Sequence, residues 1–214
     1  MTSITNSIPV VFRHIHHLNN AVQSILNQTV LPNEVIIIIS EFIENENSLN
    51  IINEIEKKMK DKNIRIIINT YPNIQYSGKN RQIAYDLCSS DIIIFQDCDD
   101  IAHPQRNEIL LHVYRNTQIP HILHGWTNNI DALNRHLEKE NIMVTDKINE
   151  QYDTTNGTPF ICKKIVGELT FPNDRNGQDR KLNDLISSKF KSTLVLNNDI
   201  YIYQNQHSSW SNLN

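Results

Sequence analysis

Asp97-Cys98-Asp99-Asp100 stands where an apolar strand runs out, after Asp91-Ile92-Ile93-Ile94-Phe95-Gln96 and before Ile101-Ala102-His103-Pro104. Acidic side chains one residue apart at the carboxyl end of a buried strand can converge on one hard divalent cation, whose remaining positions phosphate oxygens fill. That end of the strands is also where open α/β sheets bind ligands. A metal-held diphosphate is therefore the first expectation. Its competitor is that Asp97, Asp99 and Asp100 only end a strand and start a helix, since Asp is common in turns and at N-caps. The side chain of Cys98 should point away from its acidic neighbours if strand geometry persists.

The elements that must position these groups alternate along the chain. Ile8–Phe12 reads as a short strand. Leu18–Gln28 follows as a helix with Leu18, Ala21, Val22, Ile25 and Leu26 on one face. Glu34–Ile39 is a continuous apolar run of the kind a parallel sheet needs when both of its faces are covered. A helix over Ser48–Lys60, a strand over Ile64–Ile68, a helix over Gly78–Cys88 and a strand over Ile92–Phe95 complete the first half. Such repetition means βαβ units and a mostly parallel sheet. Beyond Pro104 the pattern predicts a helix to about Thr117, a strand over Ile119–Trp126 and a helical stretch over Ile130–Asn141. A short strand at Phe160–Cys162, a helix over Asp179–Phe190 and two final strands at Leu194–Leu196 and Ile200–Tyr203 follow.

The chain has 214 residues, 39% hydrophobic and 21% charged, which suits one globular domain. Its net charge of -4 and pI near 6.1 argue against a nucleic-acid partner. The longest purely apolar run, Val35–Ile39, is far short of a membrane span, and Met1–Ser7 lacks a signal-peptide core. Three scattered cysteines form neither a disulfide framework nor a CxxC zinc pattern, so a cytoplasmic protein is expected. His14, His16 and His17 lack a fourth-ligand pattern, and zinc is not expected.

Order and spacing then support a comparison. Leu18-x-x-Ala21-Val22-x-Ser24-Ile25-Leu26-x-Gln28-Thr29-x-x-Pro32-x-Glu34-Val35-Ile36 resembles the first helix and second strand of the GT-A glycosyltransferases, in particular the inverting family-2 group. Gly78-x-x-Arg81-Gln82-x-Ala84 is similar to that family's Gly-x-x-x-Arg-Asn segment, shortened by one residue. Phe95-Gln96-Asp97-x-Asp99-Asp100-x-x-x-Pro104 resembles its DxD strand end, and Gly177-Gln178-Asp179 its Gly-Glu-Asp at a helix start. His207 with Ser208 and Ser209 resembles its closing His segment. There are departures. The second strand ends Ile39-Ser40-Glu41-Phe42 where one or two Asp are usual, Phe12-Arg13-His14 stands in place of a Tyr-Asn pair, and Gln178 replaces Glu.

The resemblance implies one GT-A domain over residues 1–214, with a nucleotide-sugar-binding half at 1–103 and an acceptor and catalytic-base half at 104–214. It implies Mn²⁺ or Mg²⁺ held by Asp99, with Asp97 touching the ribose or a metal-bound water and His207 completing the shell. Arg13, Ser40, Glu41, Arg81, Asp97 and Asp100 would bind the nucleotide sugar, and Asp179 would be the general base. For Arg81 a structural ion pair with Asp97 stands beside the phosphate contact, and for Asp100 support of the loop stands beside a donor-sugar contact. Trp126 and Trp210 offer faces on which sugar rings stack, or serve the core. The expected partners are a UDP-sugar donor and a sugar, glycan or protein hydroxyl acceptor. A sugar-phosphate nucleotidyltransferase would want a Gly-rich loop after the first strand, and residues 12–16 hold no Gly. A binding module that keeps the fold without catalysis remains the alternative from another class.

Overall fold

In the computed structural model, which describes residues 2–145, 157–190 and 193–204, the apolar runs form the parallel half of one sheet. β1 (Ile4–Val11) leads through a 3-10 turn over Phe12–His17 into α1 (Leu18–Leu26). β2 (Glu34–Ser40), α2 (Glu46–Asp61), β3 (Arg65–Thr70), α3 (Ser77–Leu87) and β4 (Ile92–Phe95) follow. β1 pairs parallel with β2 and β4, and β2 with β3. The carboxyl ends of all four strands therefore open on one edge. The chain then runs through β5 (Ile101–Ala102), α4 (Arg106–Thr117), β6 (His121–Thr127), β7 (Val144–Thr145) and β8 (Phe160–Ile161). It continues through α5 (Lys163–Val166) and α6 (Gln178–Phe190) to β9 (Leu194–Ile202). The sheet order is β3-β2-β1-β4-β8-β6-β9-β5, with β7 beside β9.

Side chains on a strand alternate between faces, and here that alternation sorts the core. Val35, Ile37 and Ile39 of β2 pack with Leu18, Val22 and Ile25 of α1 and with Ile55 and Met59 of α2. Ile36 and Ile38 turn to the opposite face and meet Ala84 and Tyr85 of α3 and Leu182 and Ile186 of α6. A third cluster joins Ile92 and Ile94 of β4 to Ile109, Leu110 and Val113 of α4 and to Ile122, Phe160 and Leu196. Among the described residues no helix is long and apolar enough to cross a membrane.

Several boundaries differ from expectation for local reasons. β1 begins at Ile4, because Thr5, Asn6 and Ser7 are buried polar residues that hide the strand from an apolar pattern. Thr5 donates to Glu34 at 2.8 Å, and Asn6 exchanges amide bonds with Asn107. α2 starts at Glu46 because Asn45 caps it, its side chain accepting Ser48 N–H at 2.9 Å in a reciprocal capping box. No helix spans Ile130–Asn141. Two 3-10 turns, Ile130–Asn134 and Lys139–Asn141, flank an extended stretch. There the Gln105 amide takes both backbone groups of Leu137, at 2.8 and 3.1 Å, and His103 bonds to Arg135 O. Tertiary bonds outcompete the helix. The two final strands are one, β9, in which Asn197 and Asn198 bulge opposite the step from His124 to Gly125 of β6.

Candidate active site

The turn after β4 is pinned from below by Gln96. Its N–H donates to Ser7 O at 2.9 Å and its amide nitrogen to Ser24 Oγ at 3.0 Å, which ties the turn to β1 and α1. Cys98 points away from the acids, into the cluster under α1, and burial holds its thiol well above the usual range. Asp97 and Asp99 are left half-buried at the carboxyl edge of the sheet.

Arg81, only 3% exposed on α3, reaches this turn. Its Nη2 donates to Asp97 Oδ1 at 2.9 Å and its Nη1 to Gln178 Oε1 at 3.1 Å. The ion pair anticipated for Arg81 is present. Gln178 in turn donates to Ser77 Oγ, so the first residue of α6 is fastened to the first turn of α3. Gly157 backs the pair so closely that an added Cβ would lie 2.7 Å from Arg81 Nη2 and 3.1 Å from Asp97 Oδ2.

Electrostatics mark the spot. Burial raises the Asp97 carboxyl above its usual range, Arg81 opposes the rise, and the charges of Asp99 and Asp179 add to it. Asp179, in the first turn of α6, follows Gln178, which Arg81 ties to the same edge as Asp97. Its Oδ1 accepts the N–H of Arg180 at 2.8 Å. The like charges of Asp99 and Asp179 thus add to the rise that burial gives Asp97, while Arg81 opposes it.

The other expected residues lie along the same edge in different settings. Asp100 is turned inward at 2% exposure. Its Oδ1 accepts Gln204 N–H at 2.9 Å, Tyr201 supports it, and burial with the Asp97 charge pushes its pKa up to about 8. This is the loop-supporting position. Ser40 is fully buried at the end of β2, its Oγ 3.3 Å from the carbonyls of Val10 and Gln75 and accepting from Asn80 at 3.1 Å. It joins β1, β2 and α3 and turns no hydroxyl outward. Glu41 follows with φ 58, its N–H on Asn73 O. Arg13 is exposed on the 3-10 turn after β1, its Nε donating to His14 at 3.0 Å. Trp126 stacks edge-to-face with Tyr203 at 5.2 Å. Gln204, the residue after Tyr203, donates its N–H to Asp100, which brings this pair near the acids, and burial and then the charges of Asp100, Asp99 and Asp97 raise the Tyr203 phenol. His207 and Trp210 lie outside the described residues.

Reading the sequence missed Arg106, Tyr201 and Gly157. Arg106 looks like a helix-start surface cation and Tyr201 like one more strand residue, and neither type nor spacing sets them apart. Both are fully buried under the turn. Lys163 donates to Tyr85 O at 2.6 Å and Cys88 O at 2.7 Å and caps the end of α3.

Among the described residues no group of three or more His, Cys, Asp or Glu side chains can hold a metal ion by itself. Asp97 and Asp99 nonetheless fit a hard cation that draws its other ligands from phosphates and water, as Mg²⁺ does with one or two carboxylates. A concavity of about 500 Å³ lined by Asn73, Tyr76, Lys79, Gln82 and Phe171 flanks the start of α3, and the acids do not line it.

The model of the glycosyl transferase family 2 matches residues 8–166. The chain belongs to glycosyl transferase family 2. The matched span includes Arg13, Ser40, Glu41, Arg81 and the three acids, whereas the α6 residues Gln178 and Asp179 lie beyond it. A comparison with curated proteins finds no match. Among solved structures, S. aureus TarS in complex with UDP-GlcNAc superposes with a TM-score of 0.76 at 12% identity, over 99% of this chain and 61% of that one. Mannosyltransferase PcManGT from Pyrobaculum calidifontis, in complex with GDP-Man and Mn²⁺, gives 0.67 at 10% identity, over 94% of this chain and 56% of that one. Glucosyl-3-phosphoglycerate synthase from Mycobacterium tuberculosis, with Mn²⁺, UDP and glucosyl-3-phosphoglycerate, gives 0.62 at 13%, over 95% and 72%. At these identities the likeness establishes the shared GT-A fold. This family-2 chain spans about 60% of the length of the TarS structure.

Proposed function

We propose that the chain transfers a sugar from a nucleoside-diphosphate sugar, a UDP-sugar as the first candidate, to an acceptor hydroxyl with inversion and with help from a divalent metal. The observation that carries this reading is that Arg81 holds both Asp97, beside Asp99, and Gln178, the neighbour of Asp179, at one edge of the sheet. The solved relatives that hold UDP, UDP-GlcNAc or GDP-Man, two of them with Mn²⁺, support it.

Asp99, with Asp97 beside it, would hold the metal, which supplies Lewis-acid charge stabilisation as the diphosphate leaves. Arg81 aims Asp97 and opposes the pull of burial on its carboxyl. Asp179 accepts the acceptor hydroxyl's proton as its oxygen attacks the anomeric carbon. One in-line displacement inverts the centre, so an α-linked donor gives a β-linked product. Trp126 offers a face to a sugar ring. The acceptor is a sugar, glycan or protein hydroxyl.

The test is a thermal-shift panel of UDP, GDP, CDP and UDP-sugars with and without Mn²⁺, on the wild type and Asp99→Asn. A ligand at a hundred times its dissociation constant adds about 2.7 kcal/mol, a shift of several degrees at this size. One nucleotide stabilising only with metal, and only in the wild type, is the expected result. No shift at millimolar nucleotide would sink the reading in favour of a module without catalysis.

A further inference from the structure

Three ties fasten the acidic turn to a strand a hundred residues away. β5, just past the turn, pairs antiparallel with β9, with Ile101 opposite Ile202 and Ala102 opposite Tyr201. The phenol oxygen of Tyr201 accepts Asp97 N–H at 2.9 Å. Two residues past β9, Gln204 N–H donates to the Asp100 carboxyl at 2.9 Å.

Under this joint lies Arg106, fully buried, its guanidinium 5.1 Å from the centre of the Tyr201 ring. Its Nη2 donates to Phe95 O at 2.8 Å and to Thr158 O at 2.9 Å, and its Nε to His124 Nε2 at 3.1 Å. Phe95 is the last residue of β4, and Thr158 follows the Gly157 that backs the Arg81–Asp97 pair. One guanidinium thus grips both backbone walls of the acidic site. His124 is held neutral by burial and by this cation, so it can accept. Among the described residues Arg106 Nη1 finds no hydrogen-bond partner, although the charges of Asp97 and Asp100 act on it. A well-packed apolar side chain is commonly as stable as a buried charge, so the value of a cation here is the two carbonyls it orients and the field it sets beneath the acids.

We infer that Tyr201 and Arg106 are positioning residues, which hold the Asp97–Asp99 turn in the shape that receives a metal-bound diphosphate. The inference rests on reading Asp97 and Asp99 as the metal–diphosphate site. Neither residue touches substrate. Each acts on the turn's backbone, Tyr201 at the Asp97 N–H and Arg106 at the Phe95 carbonyl.

Tyr201→Phe keeps the ring over Arg106 and deletes only the hydroxyl. Tyr85→Phe is its control, deleting a phenol bond of 2.6 Å to Gly167 O away from the acids. Two quantities are measured besides the melting temperature: hydrogen exchange of peptides covering residues 96–102 without metal, and Mn²⁺ affinity by calorimetry in saturating UDP. Outer partners of metal ligands are typically worth 10- to 100-fold in affinity. Tyr201→Phe is expected to speed exchange in the turn and weaken Mn²⁺ by roughly that factor, with Tyr85→Phe like the wild type in both. If the two variants lose similar stability while turn exchange and Mn²⁺ affinity stay at wild-type values in Tyr201→Phe, the positioning role is overturned. If the wild type binds no Mn²⁺ with UDP yet turn exchange rises in Tyr201→Phe, the tie to β9 stands and the diphosphate reading falls.

Discussion

Arg81 Nη2 meets Asp97 Oδ1 at 2.9 Å, and the same guanidinium reaches Gln178 at 3.1 Å, so one side chain joins the end of β4 to the start of α6. The side chain of Asp97 keeps 36% of its surface in solvent. The several kcal/mol that follow the breaking of a fully buried pair must be discounted accordingly. Arg81→Met is expected to cost about 1–2 kcal/mol in urea denaturation. Arg81→Lys restores the charge but cannot bridge both partners, and should recover part of that loss.

Gly157→Ala probes the same pair from its other side. The new Cβ would press on Arg81 Nη2 and Asp97 Oδ2, at 2.7 and 3.1 Å. Both are side-chain atoms that can yield. Stability should fall by about 1 kcal/mol, the low end for overpacking, while metal-dependent nucleotide binding should weaken measurably by calorimetry. Unchanged binding would show that the pair's geometry is not needed.

Asp179→Asn removes the proposed base with little change of shape. A positioned base contributes typically 10²–10⁴-fold. Turnover should fall by roughly that factor while the thermal shift given by nucleotide and Mn²⁺ stays near wild type. A variant retaining most of its turnover would move the role of base elsewhere.

Lys163→Met tests the cap on α3. The ammonium donates to carbonyls at the end of α3, where the helix dipole also favours a cation. Its loss should cost about 1–2 kcal/mol in chemical denaturation. Because α3 carries Arg81, nucleotide affinity should fall with it.

His121 governs part of the acid limb. It is fully buried between Thr193 and Asn183, and burial lowers its pKa from 6.5 to about 4. Between those values the unfolded chain binds a proton that the folded one does not. Stability is therefore complete above pH 6.5, falls as the pH drops toward 4, and levels off below it, by about 3 kcal/mol at most. His121→Gln should lose less stability than the wild type between pH 7 and 4.5. A residual slope should remain from His124, whose pKa burial and Arg106 also depress.

The parallel half of the fold was legible because β2 and β4 are continuous apolar runs that only a doubly covered sheet accepts. The acids were legible because their spacing is one residue and they end such a run. The second half was harder. Gln105 holds Leu137 out of a helix, and the bulge at Asn197 and Asn198 splits the apolar pattern of β9 in two. Bonds made across the fold decide both. Arg106 and Tyr201 were invisible for the same reason, since their roles rest on partners distant in sequence. Ser40 and Arg13 were legible as positions on the right edge, but Ser40 spends its hydroxyl inside the fold.

The bond from Asp97 to Tyr201 spans 104 residues. A ribosome therefore delivers the acids long before the strand that shapes their turn, and contacts so distant in sequence form late and slowly. A nascent chain halted before residue 200 should carry the β3-β2-β1-β4 ladder yet hold Mn²⁺ poorly. Competence for the metal would appear in one step during synthesis, when β9 docks.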